Sequence, residues 1–107
     1  MALFVILSKL TDKGAATLFE RPERIKEVNK ELEAMGVRVL QQYFVLGDYD
    51  FINIVEANDE KDLIRAVVNL NMRGTIRTVT YRIIPVEKLI EILKKEDIEP
   101  DLKSLKF

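Results

Sequence analysis

The sequence contains no cysteine and no histidine. The absence of cysteine excludes disulfides, thiolate nucleophiles and thiolate metal ligands. The absence of histidine removes the commonest general base and the commonest metal ligand. Ser-His-Asp and Cys-His catalysis are therefore excluded, and neither a metal nor another cofactor is expected.

A surplus of one charge and a long apolar run are also missing. The chain has 17 basic and 18 acidic residues, a net charge of −1, which gives no electrostatic reason to bind nucleic acid. No apolar run approaches the roughly 18 residues of a membrane span, and no cationic segment precedes the short apolar start. We expect a cytoplasmic protein without a membrane or nucleic-acid partner. Charged residues make up 33% and tryptophan is absent, which points towards a thermophilic source.

The hydrophobic pattern of the 107 residues predicts one domain. Short runs rich in apolar, β-branched and aromatic residues predict strands over residues 2–8, 37–46, 50–57 and 75–84. Helices are predicted after Pro22, after Asn58 or Asp59, and from Val86, with a turn at 11–14 and at most a short helical turn after it. The apolar faces of the three helices are Ile25, Val28, Leu32 and Met35, then Leu63, Ile64, Val67 and Leu70, then Val86, Leu89, Ile90 and Leu93.

This order is an α+β, ferredoxin-like βαββαβ unit with a C-terminal helix. It predicts a four-stranded antiparallel sheet with helices on one face. We place the domain over residues 1–96. The polar tail, 97–107, is either disordered or docked on a partner.

Both faces of the predicted sheet are apolar. We expect the helices to cover one face and to leave Phe4, Ile6, Phe51 and Val55 bare on the other. A patch of that size is rarely left bare on a monomer. We therefore predict a homodimer with its sheets packed face to face, which the hairpin could extend to a higher oligomer. The alternative is that the C-terminal tail covers this face.

Polar side chains interrupt the apolar strands. Asn53 interrupts the third strand, and on the fourth Thr78, Thr80 and Arg82 alternate with Arg77 and Tyr81. The pattern leaves open which of these two sets faces inward. An unpaired buried polar group costs about 1–3 kcal/mol. These groups therefore either bond one another or ordered water, or they line a small-molecule cavity between the sheets.

The stretch Gly47-Asp48-Tyr49-Asp50 lies between the second and third predicted strands. In a structural interpretation, Gly47 supplies a positive φ, the aspartates bond nearby N–H groups, and the tyrosine ring packs on the sheet edge. In a functional interpretation, Tyr49 and Asp50 contact a ligand or a neighbouring subunit. An aspartate could pair a ligand ammonium group, and an arginine of the fourth strand could hold a carboxylate.

The motif lies in an informative order with other segments. Phe4-Val5-Ile6-Leu7 precedes it, and Ile54-Val55-Glu56-Ala57, Gly74 and Arg77-Thr78-Val79-Thr80 follow it. Over residues 2–93 this order resembles the GYD domain family, small stand-alone proteins of the dimeric α/β-barrel superfamily. The pattern is also similar to the ligand-sensing domain of the Lrp/AsnC regulators, here without a helix-turn-helix. That resemblance implies a hairpin at a subunit interface where amino acids bind.

These features predict a non-catalytic, small-molecule-binding or assembly-forming domain. The candidate ligand-binding residues are Tyr43, Asp48, Tyr49, Asp50, Asn53, Arg77, Thr78, Thr80 and Arg82. The alternative is a small-substrate enzyme of the dimeric α/β-barrel type, an isomerase or monooxygenase. It would use Asp48, Asp50, Glu56, Tyr43, Tyr49 or Tyr81 without a metal. A carboxylate in that role would need a pKa raised by burial to act near pH 7.

Overall fold

The computed structural model describes residues 1–95. They form a four-stranded antiparallel sheet in the order β2-β3-β1-β4, together with helices. The elements are β1 (Ala2–Leu10), α1 (Asp12–Glu20), α2 (Arg24–Ala34), β2 (Val37–Phe44), β3 (Phe51–Ala57), α3 (Glu60–Met72), β4 (Ile76–Ile83) and α4 (Val86–Lys95). The predicted ferredoxin-like fold and its C-terminal helix are confirmed. The predicted tail over residues 97–107 lies outside the described residues.

Helix α1 begins where the sequence predicts only a turn. Thr11 caps it, because its Oγ1 accepts a hydrogen bond from the Gly14 N–H at 3.1 Å. The same hydroxyl donates to the Gly74 carbonyl at 2.6 Å, and the Thr11 N–H donates to the Thr75 carbonyl at 3.0 Å. Gly14 lies inside this helix. The position requires glycine because a Cβ there would overlap the Thr75 backbone. The glycine signals close packing, not a turn.

Helix α3 shows where a predicted apolar face needs correction. Asp59 caps it as predicted, accepting a hydrogen bond from the Lys61 N–H at 2.9 Å. Its buried side chains are Leu63, Ala66 and Leu70. Ile64, predicted on the apolar face, is instead 54% exposed. The small side chain of Ala66 takes the place against the sheet.

The helices cover the opposite sheet face from the one predicted. Phe4, Ile6 and Val55 are only 4%, 1% and 0% exposed, and they form the core with α2 and α3. Phe51 lies on the same face, since it is paired with Ser8, another buried residue. The prediction that these four side chains are left bare is wrong. Alternation tells which residues share a face, but when both faces are apolar it does not tell which one the helices take.

The other side of the sheet, called the open face here, is apolar at its centre, with Lys9 and Arg77 towards one end and Arg38 and Glu56 towards the other. Val5 lies at its centre, opposite Ile54 on β3 and Tyr81 on β4. Its side chains include Leu3, Val5, Leu7, Tyr43, Ile52, Ile54, Val79, Tyr81 and Ile83. Tyr43 and Tyr81 are each 55% exposed. The expectation of an uncovered apolar face therefore stands, with a different set of residues.

Helix α4 carries a second uncovered apolar surface. Its predicted stripe, Val86, Leu89, Ile90 and Leu93, is 46–62% exposed. An amphipathic helix normally buries such a stripe. None of the described helices has the length and apolar character needed to cross a membrane.

Candidate functional site

The nine residues predicted to bind a ligand lie in three separate places. The 45–50 loop between β2 and β3 holds Asp48, Tyr49 and Asp50. The register places Tyr43 and Arg77 on the open face, and Asn53, Thr78, Thr80 and Arg82 on the covered face. The nine side chains therefore do not converge on a single pocket between two sheets.

Asp50 anchors the loop to the end of β1. Its Oδ2 accepts a hydrogen bond from the Leu10 N–H at 2.7 Å. Its own N–H donates to the Ser8 carbonyl at 2.8 Å, and its carbonyl accepts from the Val45 N–H at 2.8 Å. A carboxylate that accepts from a backbone N–H fixes the chain path by a charge-assisted hydrogen bond. These contacts give Asp50 a structural task.

The rest of the loop faces solvent. Asp48 is exposed and Tyr49 is half-buried. Among residues 1–95 a positive φ occurs only at Gly36 and Gly74, so Gly47 does not supply the left-handed conformation predicted for it. Leu46 at the tip is 93% exposed. The loop presents an exposed apolar tip beside an exposed aspartate.

Two of the predicted polar residues are half-buried, and each holds one buried oxygen without a hydrogen-bond partner among the described residues. Asn53 and Thr80 flank Ile6 in neighbouring strands of the covered face. The Asn53 Oδ1 and the Thr80 Oγ1 are buried, and neither has a hydrogen-bond partner among the described residues. Thr78, two residues before Thr80 on the same face of β4, has a hydrogen-bond partner: its Oγ1 accepts a hydrogen bond from the Asn71 Nδ2 at 2.8 Å. Buried polar atoms without partners are rare in native proteins and call for an explanation.

A cavity of about 290 Å³ lies between α1, α2 and the covered face. Its apolar lining consists of Leu10, Leu18, Ile25, Val28, Leu32, Phe51, Leu70 and Ile76. Asn53 lines it too, whereas Thr80 does not. Sequence reasoning missed this cavity, although Asn29 gave a signal. Asn29 lies four residues after Ile25 and three before Leu32, which places an amide on an apolar helix face.

Two side-chain amides of the cavity lining, Asn29 and Gln42, form hydrogen bonds with each other. The Asn29 Nδ2 donates to the Gln42 Oε1 at 2.8 Å, and the Gln42 Nε2 donates back to the Asn29 Oδ1 at 3.2 Å. Gln42 reaches the covered face because a bulge between Val39 and Gln41 shifts the alternation of β2. Gln42 is also the strand neighbour of Asn53. The satisfied pair therefore lies beside the unsatisfied oxygen.

Two arginines that line the cavity share one glutamate. The Arg24 Nη1 lies 2.9 Å from one carboxylate oxygen of Glu31, and the Arg73 Nη1 lies 2.6 Å from the other. Hydrogen bonds from Arg24 and Arg73 lower the pKa of Glu31, and the bond to Glu31 raises the pKa of Arg24. Arg24 also contacts Glu27, which pairs with Arg21. The two arginines of the lining are thus balanced by Glu27 and Glu31, and Arg21 joins the cluster from outside the lining.

Residues 1–95 contain no cluster of side chains that could serve as the ligands of a metal ion. No group of three or more acidic side chains within residues 1–95 is placed to hold a metal ion. The acids near the cavity are instead paired with arginines. What the site offers is an apolar volume, one hydrogen-bond acceptor without a partner, and two arginines at the rim that are paired with glutamates.

Comparison with known proteins identifies the family. The model of the GYD domain matches residues 4–93. The chain belongs to the GYD domain family. The family predicted from the order of the sequence motifs is thereby confirmed.

A relative from Thermus thermophilus is similar to this GYD protein over almost its whole length. The two are 56% identical over 95 residues, which cover 88% of this chain and 100% of the relative. That protein is named as a glutamine synthetase and cystathionine beta-lyase binding protein.

Solved structures share the fold. The crystal structure of MtbAldR is 25% identical, with a TM-score of 0.60 over 78% of this chain and 52% of that one. This GYD protein therefore spans about half the length of MtbAldR. A hypothetical protein, PHS023, from Pyrococcus horikoshii is 30% identical, with a TM-score of 0.51 over 79% of this chain and 92% of that one.

Proposed function

We propose that this GYD protein is a homodimeric, non-catalytic binding protein whose partners are metabolic enzymes. The observation that carries the proposal is the 56% identity to the Thermus protein named for binding glutamine synthetase and cystathionine beta-lyase. Those two enzymes are the first candidates as partners. The open face and the exposed stripes of the helices supply the surfaces that such assembly needs.

The open face favours a second copy as its occupant. Four strands about 4.8 Å apart and about seven residues long at 3.3 Å each give a planar face of roughly 440 Å². A standard interface buries about 800 Å² per partner. The face alone falls short, and the uncovered stripe of α4 would provide the remainder. If the two sheets pack face to face and α4 of each protomer packs against its partner, the dimer buries both the open face and the apolar stripe of α4.

A different surface remains for the enzymes after the sheets have paired. Ile64, Val68 and Met72 follow one another at intervals of four residues on α3, so they form one stripe. They are 54%, 54% and 75% exposed, on the outer side of a helix whose inner side packs on the covered face. Because this stripe faces away from the open face, a dimer leaves it accessible. We assign it to contact with the enzymes.

Two matched substitutions separate the two surfaces. Val5→Lys places a charge at the centre of the open face and should convert the dimer to a monomer in sedimentation velocity. Val68→Lys places the same charge on α3, so it should leave the dimer intact and abolish enzyme binding. Ala15→Lys, at an exposed position on α1, is the control for an added surface charge.

Enzyme binding is measured by biolayer interferometry with purified glutamine synthetase and cystathionine β-lyase of Thermus thermophilus. Serum albumin is the unrelated protein for comparison. Saturable binding of either enzyme supports the proposal. Absence of binding to both enzymes, or a wild-type protein that sediments as a monomer at micromolar concentration, counts directly against the corresponding half of it.

A further inference from the structure

We infer that the cavity between α1, α2 and the covered face binds a small apolar monocarboxylic acid that carries a hydrogen-bond donor. This site lies on the opposite side of the sheet from the proposed dimer contact. It involves none of the α3 residues assigned to the enzymes. The inference is therefore independent of the proposed function.

The size of the cavity is the first reason. The cavity is partly open to solvent, so a small molecule can enter it from solution. A cavity of 290 Å³ has room for about ten water molecules at about 30 Å³ each. Its lining is mainly apolar, which makes it a poor site for that many waters. A compact apolar molecule fits these walls better than solvent does.

The unpaired oxygen of Asn53 is the second reason. This residue lines the cavity, and its buried Oδ1 has no donor among the described residues. Neighbouring Gln42 does not supply the bond in this structure, because its Nε2 donates to the Asn29 Oδ1 and its Oε1 accepts from the Asn29 Nδ2. A hydroxyl or amino group on the ligand would satisfy the oxygen. The ligand is therefore expected to carry a hydrogen-bond donor in addition to its apolar group.

The charge at the rim is the third reason. Arg24 and Arg73 both line the cavity and converge on Glu31. One carboxylate is thus shared by two guanidinium groups. The Arg73 Nε and Nη2 also donate to the Asn69 Oδ1, whereas the side-chain bonds of Arg24 use only its Nη1. A ligand carboxylate can join this cluster by a charge-assisted, bidentate bond. The Nε and Nη2 of Arg24 form no side-chain hydrogen bond within residues 1–95, so they remain as donors for one ligand carboxylate.

The test uses three hydroxy or indole acids and their partners without the donor. The acids are 2-hydroxy-4-methylpentanoate, 3-phenyllactate and indole-3-acetate, compared with 4-methylpentanoate, 3-phenylpropanoate and naphthalene-1-acetate. Each is titrated into the isotope-labelled full chain, and amide shifts in two-dimensional NMR spectra report affinity and location. We expect at least one donor-bearing acid to bind about tenfold more tightly than its partner, with shifts on α1 and α2.

Matched variants assign the contacts. Asn53→Leu should abolish the preference for the donor-bearing acid, whereas Thr80→Val should keep it. Thr80 is the control because it also holds a buried unpaired oxygen beside Ile6 but does not line the cavity. Arg24→Gln should weaken every acid about tenfold, while Arg21→Gln, outside the lining, should not.

The outcomes are decisive even if a variant does not fold. The comparison between paired acids uses only the wild-type protein, so it stands without any substitution. Lack of binding by all three donor-bearing acids at millimolar concentration overturns the inference. So do shifts confined to the open face or to the 45–50 loop, equal affinity within every acid pair, or an unchanged preference in folded Asn53→Leu.

Discussion

Asp50→Ala tests whether the aspartate that ends the 45–50 loop has a structural role. The substitution removes the acceptor of the Leu10 N–H bond, 2.7 Å long, but leaves the two backbone bonds of residue 50 in place. A hydrogen bond to a charged group contributes about 1.5–3 kcal/mol to stability. Because this bond is only partly buried, water can replace some of it, and we expect the free energy of unfolding to fall by about 1.5 kcal/mol. Asp50→Asn keeps an acceptor oxygen and should lose about half as much.

The assay is unfolding in urea followed by circular dichroism. Protomer concentration is held constant, since association stabilises the folded state by mass action. Asp48→Ala is the control, because this neighbouring aspartate is exposed and should change stability by less than about 0.5 kcal/mol. The expected loss for Asp50→Ala lowers Tm by about 6–12 °C in a domain of this size. Wild-type stability in Asp50→Ala, combined with lost ligand or enzyme binding, would refute the structural assignment and make Asp50 a contact residue.

Two further substitutions test local packing and electrostatics. Gly14→Ala should destabilise the protein by about 1–3 kcal/mol in urea unfolding, because its Cβ would overlap the Thr75 carbonyl; Gly47→Ala, with open space around it, is the neutral control. Glu31→Gln should cost at most about 1 kcal/mol at neutral pH, since its ion pairs are part-exposed. The folded-state pKa of Glu31 is lowered, so the stability that its ion pairs contribute is present above the unfolded value of 4.5 and is lost as pH falls through the folded pKa. The urea midpoints of wild type and Glu31→Gln should therefore converge in acid.

The sheet and its strand order could be predicted from the sequence because short apolar runs alternate with helical stripes and turn residues. The face that the helices cover could not. Leu3 and Val5 are as apolar as Phe4 and Ile6, so alternation along β1 has no preferred side. The choice is made by packing: Ala66 and Leu70 of α3 join the core with Phe4. No periodicity within a single strand contains that information.

The candidate site was predictable in its parts but not in its arrangement. Asn53 was identified as a polar interruption in an apolar strand, and the structure does show its oxygen buried and unpaired. The cavity depends on how distant segments meet. Gln42 lines it only because the bulge before Gln41 shifts β2 by one residue, and Arg73 reaches it from the end of α3. Such a bulge and such a meeting of helix ends leave no regular spacing in the sequence.

Side chains alternate between the two sheet faces along β1 and β3, and this alternation separates the two proposed activities, dimerisation and ligand binding. Val5 and Ile54 point to the open face, while their chain neighbours Ile6 and Asn53 point to the covered one. The proposed dimer contact and the proposed ligand cavity therefore share β1 and β3 without sharing a side chain. Val5→Lys can therefore remove dimerisation without touching the cavity, and Asn53→Leu can remove the ligand preference without touching the open face. An effect of either substitution on the other activity would measure the energetic coupling between the two sites.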